Sequence, residues 1–201
     1  MRFVARRRPY ITQAIYNAPV SRDSKYVAFL RGINVGGNKL IKMESLSAAF
    51  TAAGFRNVKT YIASGNVIFS TRASNPVILA SRIEKLLLTT FGHQITVILF
   101  SFSELLEIVK SNPFKRTRRA DVMLFSVLLR TPSTRAIPPL ESKTEKFKVV
   151  AVQDRAIFIV ARRKRTGWFG FPNNWVEKEF DVTASTRNWS TLQKIVAAFS
   201  E

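Results

Sequence analysis

The stretch FLRGINVGGNKLIKMESL, residues 29–46, gathers residue types that hold oxyanions: Arg31, Asn34, Lys39 and Lys42 around Gly32, Gly36 and Gly37. Gly32 and Gly37, with four residues between them, echo a phosphate-binding P-loop. However, Asn38 stands where the lysine belongs and no Ser or Thr follows it, so the β/γ-phosphate contact is missing and nucleoside triphosphatase chemistry is unsupported. The dinucleotide fingerprint is not met either. What the spacing does predict is a glycine-rich turn entering a helix. Free N–H groups and the positive end of the macrodipole would then face a phosphate or carboxylate, with Arg31 as a bidentate fork. The same residues also suit a plain strand-to-helix connection in which Gly36 and Gly37 only supply positive φ.

A second segment, TYIASGNVIF, contributes Tyr61, Ser64, Gly65 and Asn66. Ala63 precedes Ser64, so the G-x-S-x-G nucleophile elbow is absent. Arg187, Asn188 and Trp189 form a third candidate group, which reads equally as a helix cap beside a core anchor. His93 falls in a loop, and Glu104, Glu107, Glu177, Glu179 and Asp181 read as solvated helix charges. No acid pair is seen beside an apolar pocket, and general acid–base catalysis is unsupported. With no cysteine and one histidine, thiolate chemistry and structural zinc are excluded. No acidic loop has ligand spacing, so neither a metal nor another cofactor is expected.

Charge widens the choice of partners. The chain of 201 residues carries a formal +19, and residues 25–201 alone hold +15. Such a surplus attracts polyanions, nucleic acid above all, unless it merely decorates solvated faces. Two basic runs concentrate it: Lys115, Arg116, Arg118 and Arg119, then Arg162, Arg163, Lys164 and Arg165 beside Trp168, Phe169 and Phe171. Cations tracking phosphates with aromatics stacking on bases would suit a single strand. The RNP1 pattern of RNA-recognition motifs is absent.

These residues need elements to position them. At 46% hydrophobic content the chain can bury a core, and no run approaches the roughly 20 apolar residues of a membrane span. Together with the lack of cysteine, this leads us to expect a cytoplasmic protein. Residues 1–24 have five arginines, no helical or strand period and no apolar h-region; they read as a flexible basic extension rather than a secretory signal. From Lys25 the pattern predicts strand, helix, hairpin, helix, strand through residue 100. A linking helix capped by Ser103 and a basic loop fill 101–120. Residues 121–201 read as a weaker repeat of the same order: strand 121–130, a proline-broken helix within 131–142, a hairpin turning at Asp154-Arg155, a helix over 173–180, a strand over 181–187 and a closing helix. The fold class is α+β: two ferredoxin-like split βαββαβ subdomains with a linking helix and a C-terminal helix. In such a winding the loop after the first strand and the second-to-third hairpin share one rim, which brings Arg31–Lys42 to Tyr61–Asn66.

Residues 26–70, SNPF at 111–114 and TASTRNWSTLQKI at 183–195 resemble the DUF1697 family over about 25–199. The resemblance implies two ferredoxin-related subdomains and carries no established activity. The functional expectation is a phosphate-bearing or other anionic ligand at the LRGINVGG loop and SGN turn. The alternatives are nonspecific nucleic-acid binding and acylphosphatase-like hydrolysis, in which one arginine holds the phosphate and one asparagine orients water.

Overall fold

The computed structural model describes residues 23–72, 75–118, 121–133, 140–142, 146–162 and 171–199. They form a mixed α+β fold with five helices and two antiparallel sheets. The first sheet draws on β1 (Ser24–Leu30), β2 (Arg56–Tyr61), β3 (Asn66–Thr71) and β4 (Val97–Ser101), in the order β2-β3-β1-β4. Helices α1 (Met43–Ala52) and α2 (Pro76–Phe91) connect them, and α3 (Phe102–Ser111) follows β4 without a break. The second sheet has the order β6-β7-β8-β5-β9, from β5 (Val122–Leu128), β6 (Leu140–Ser142), β7 (Phe147–Gln153), β8 (Ala156–Ala161) and β9 (Ala184–Asn188). Helix α4 (Asn173–Phe180) precedes β9 and α5 (Trp189–Ala197) follows it.

Local chemistry sets the helix ends. Asn75 caps α2 by accepting from the N–H groups of Val77 and Ile78, and Pro76 occupies the first turn, where its missing donor costs nothing. The N-cap of α3 is Ser101, not Ser103. The Ser101 hydroxyl accepts from the Glu104 N–H while the Glu104 carboxylate accepts from the Ser101 N–H, a reciprocal box that Ser103 is placed too late to make. At the end of the segment expected to hold a proline-broken helix, Leu140–Ser142 form β6. Residues 134–139 of that segment lie outside the described residues, as do residues 1–22 of the expected extension. Asp23 and Ser24 belong to the fold: Ser24 pairs with Thr71 in the ladder, and Asp23 bonds Arg56.

Three apolar clusters stack as layers. One packs the first sheet on α1 and α2 through Leu46, Phe50, Phe69 and Ile83, and another packs the second sheet on α4 through Ile157, Val176 and Phe180. The third lies between the sheets, where Phe29, Ile98 and Phe100 of the first meet Phe125, Val127 and Phe158 of the second. Phe29 and Phe125 stand edge to face with centroids 6.4 Å apart. Each sheet face that could have served as a nucleic-acid platform is covered by the other.

Candidate functional site

Because β1 and β3 are antiparallel, the exit of β1 and the entry of β3 occupy one end of the sheet. The Leu30 N–H donates to the Gly65 carbonyl at 2.8 Å, and the Asn34 amide donates to the Ala63 carbonyl at 2.9 Å. The two segments singled out in the sequence, separated by about thirty residues, therefore meet. Asn34, with φ of 53°, also donates to the Ile41 carbonyl and accepts from the Ile41 N–H. Its side chain thus closes the loop at both ends and is fully engaged.

The glycines sit differently from the sequence expectation. Val35 and Asn38 form an isolated bridge, and Gly36 and Gly37, with φ of 59° and 78°, are the two central residues of a β-turn at the tip of a small finger. Helix α1 starts only at Met43, five positions beyond Asn38, with Lys42 at its N-cap and no side-chain cap bond. The alternation of φ-positive residues through Lys39 (φ 47°) folds the loop into a hairpin before the helical spacing begins. The finger presents Lys42 and the apolar Val35 and Leu40 to solvent, and Ile62 is exposed in the facing turn. Lys39 bends back, its Nζ donating to the Gln94 carbonyl at 2.8 Å.

Gly65 is fixed by packing as well as by conformation. Its φ is 76°, and a Cβ there would lie 2.7 Å from Ile33 Cδ1 and 2.9 Å from Leu30 Cβ. Asn66, fully buried, donates to the Tyr61 carbonyl and to the Ser64 hydroxyl, which shapes the turn from inside.

Two arginines tie this rim to the second sheet. Arg31 is not an open fork: its Nε and Nη2 grip the Glu177 carboxylate at 2.9 and 2.8 Å, and Nε also reaches the Ala184 carbonyl. Glu177, expected to be a solvated helix charge, is half-buried and accepts from the Ala184 N–H as well. Its partner lies 146 residues away, so no local pattern in the sequence could have revealed the pair. Arg187 is buried and spends all five N–H donors on neutral acceptors. Nε donates to Asn66 Oδ1 at 2.7 Å, Nη1 to the Ser185 hydroxyl and the Thr186 carbonyl, and Nη2 to the carbonyls of Leu30 and Ser64 at 3.0 and 2.8 Å. Burial pushes the guanidinium down to about 10, which still leaves it charged at neutral pH. Arg187 is thus a structural clamp on the SGN turn, reaching it from β9.

The other candidates separate. Trp189 is a core anchor, in edge contact with Phe114, Phe125 and Phe158. Asn188 holds the N-cap position of α5 without a side-chain bond. Lys115 and Arg116 are exposed, Arg118 pairs with Asp121 at 3.4 Å, and Arg162 is exposed after β8. Arg119, Arg163, Lys164, Arg165, Trp168 and Phe169 lie outside the described residues. Among the described residues no cluster of His, Cys, Asp and Glu could hold a metal ion, and no helix is long and apolar enough to cross a membrane.

Compared with known proteins, residues 24–158 match DUF1697, a protein of unknown function. The chain belongs to the DUF1697 family. Both rim segments fall inside the matched stretch, whereas Glu177 and Arg187, which brace them, lie beyond it. Among solved structures, this DUF1697 chain is similar to the conserved bacterial protein SP0830 from Streptococcus pneumoniae, at 20% identity and a TM-score of 0.63 over 87% of this chain and 98% of that one. At that identity the likeness shows a shared fold. No curated protein matches the chain.

Proposed function

We propose that this DUF1697 protein binds a phosphate-bearing or other anionic ligand at the rim made by the Gly36-Gly37 finger and the Ser64-Gly65-Asn66 turn. The observation that carries the reading is the Asn34-to-Ala63 hydrogen bond, which joins the two loops beside Lys39, Lys42 and Arg31. Support for the underlying architecture comes from the order β2-β3-β1-β4 with every neighbouring pair antiparallel, which we read as split βαβ winding.

The roles divide by what each group already does. Lys42 and the finger backbone face solvent and make the first contact. Lys39 can exchange the Gln94 carbonyl for a ligand oxygen, a charge-assisted bond replacing a neutral one. Asn34, Ser64 and Asn66 are positioning residues, braced from behind by Arg187. Arg31 joins only when the ligand displaces Glu177, so the carboxylate competes with the anion for the same fork. Hydrolysis of an acyl phosphate would further require the Asn34 amide to release two carbonyls in order to orient water, and binding without turnover is the reading the geometry favours.

Calorimetric titration with inorganic pyrophosphate tests this on wild type, Lys42→Gln, Arg31→Gln and Glu177→Gln. Weaker binding in Lys42→Gln and Arg31→Gln, with tighter binding in Glu177→Gln, is expected. Binding that is equal in all four proteins and collapses as salt rises would assign it instead to diffuse attraction by the basic surface.

A further inference from the structure

The two sheets share a backbone plan that reveals a second site. Leu30 N–H donates to the Gly65 carbonyl at 2.8 Å, and Leu128 N–H donates to the Arg155 carbonyl at 2.9 Å. Arg31 N–H donates to the Thr96 carbonyl at 3.0 Å, and Leu129 N–H to the Thr183 carbonyl at 2.9 Å. Leu30 faces Val97 in the ladder as Leu128 faces Ala184. Helix carboxylates complete the match: Glu84 accepts from the Val97 N–H at 2.9 Å, and Glu177 accepts from the Ala184 N–H at 2.8 Å. Position for position, Arg31 corresponds to Leu129 and Glu177 to Glu84.

The two sites differ in what fills them. On one side Arg31 crosses from the first sheet and docks its guanidinium on Glu177 with two hydrogen bonds. On the other, Leu129 crosses from the second sheet toward Glu84 and offers no cation. A cleft of about 690 Å³ opens there, lined by Val77, Ala80 and Ser81 of α2, by Leu129, and by the carboxylates of Glu84 and Glu104. Arg155 also lines it, but its charge is spent. Its Nη2 donates to the Leu99 carbonyl at 2.9 Å and to Glu104 at 3.2 Å, and its guanidinium lies over the Phe100 ring at 4.1 Å. Among the described residues no cation pairs with Glu84, and its second carboxylate oxygen has no partner. The cleft therefore holds two carboxylates against one arginine, one positive charge short of balance, with apolar walls in Val77 and Leu129, both exposed. Its volume is that of a small-molecule or side-chain pocket.

We propose that this cleft binds the guanidinium group of an arginine-like ligand, seated on Glu84 as Arg31 is seated on Glu177, with its aliphatic stem against Val77 and Leu129. The twin site is an internal picture of the bound state: the carboxylate holds the same strand N–H, at the same register, and accepts a planar fork. A charged fork on a carboxylate flanked by an apolar wall discriminates against an uncharged isostere, because the isostere leaves the carboxylate unpaired.

The test is an amide-detected NMR titration with N-acetyl-arginine amide, set against N-acetyl-citrulline amide, which has the same outline without the charge. Saturable shifts at Val97 and Leu129 are expected with the arginine probe alone. Glu84→Gln keeps an acceptor for the Val97 N–H and should weaken binding by about tenfold or more, which corresponds to about 1.4 kcal/mol. Leu129→Arg should supply the guanidinium from within the chain, abolish probe binding and raise the melting temperature, since Leu129 is exposed and its replacement disturbs no core. Equal binding of the citrulline probe, undiminished binding by Glu84→Gln, continued binding by Leu129→Arg, or no shift at either amide with millimolar arginine probe would each overturn the assignment.

Discussion

Replacing Arg187 by lysine keeps the charge and removes the fork. In the native protein five N–H donors meet Asn66 Oδ1, the Ser185 hydroxyl, and the carbonyls of Thr186, Leu30 and Ser64. An ammonium carries three donors on a single nitrogen, so at least two of these acceptors lose their partner. The site is closed to water: Arg187 is 6% exposed and Asn66 fully buried. Each abandoned buried acceptor costs about 1–3 kcal/mol, and two of them cost about 4 kcal/mol in mid-range. For a chain of this size, that lowers the melting temperature by about 8–16 °C at roughly 2–4 °C per kcal/mol. Urea denaturation followed by circular dichroism gives the free energy, and calorimetry gives the melting temperature. Three of the five acceptors belong to the first sheet's rim, so the amides of Leu30 and Asn66 should also lose hydrogen-exchange protection ahead of the rest of β1 and β3. A loss below about 1 kcal/mol with unchanged protection at those amides would refute the reasoning, because it would mean that the charge and not the fork holds the seam.

Gly65→Ala should destabilise by about 2–4 kcal/mol, from left-handed strain of about 1–2 kcal/mol plus overpacking against Ile33 and Leu30, whereas Gly36→Ala, with open space around it, should cost only the strain; urea midpoints separate the two. Burial pushes the Glu104 carboxyl up, but hydrogen bonds from the Ser101 hydroxyl and N–H and from Arg155, with the Arg155 charge, outweigh it and hold the carboxyl below its ordinary range. The folded state therefore binds this proton less tightly than the unfolded state. The stability Glu104 contributes is full above its unfolded value of 4.5 and is lost as pH falls through the lower folded value. Glu104→Gln keeps the acceptor for the Ser101 N–H but loses the charge that strengthens the Ser101 and Arg155 bonds; it should cost at most about 1 kcal/mol near neutrality for so exposed a pair, and less at acid pH, read from denaturation at several pH values. Glu177→Gln should tighten pyrophosphate binding by releasing Arg31, and a calorimetric constant no tighter than wild type would contradict the competition.

Much of the fold was legible because it rests on local signals. Pro76 marks the start of α2, and the β-branched and aromatic runs of β1 and β3, buried on both faces, mark them as strands. The meeting of the LRGINVGG and SGN segments was legible too, since it follows from strand direction alone. The corrections arise where long-range partners override local pattern. Arg31 carries the residue type of an anion fork, but its guanidinium is taken by a carboxylate in α4, and nothing within ten residues of either announces the pair. Arg187 looked like half of a strand-to-helix cap; its role comes from three acceptors on the opposite sheet. Gly36-Gly37 were expected to lead directly into a helix, yet the bridge from Val35 to Asn38 closes a finger first, because two adjacent positive-φ residues fit a two-residue hairpin turn. The correspondence of Leu129 with Arg31 has no signature in sequence at all, as the two residue types share neither charge nor shape.

The most direct measurement is an amide-detected NMR titration with inorganic pyrophosphate at low and at physiological salt. Saturable shifts centred on Gly36, Gly37, Lys39 and Lys42, persisting at physiological salt and lost in the double variant Lys39→Gln/Lys42→Gln, are the predicted result. Shifts spread over the basic surface and erased by salt, or none at the finger, would contradict it.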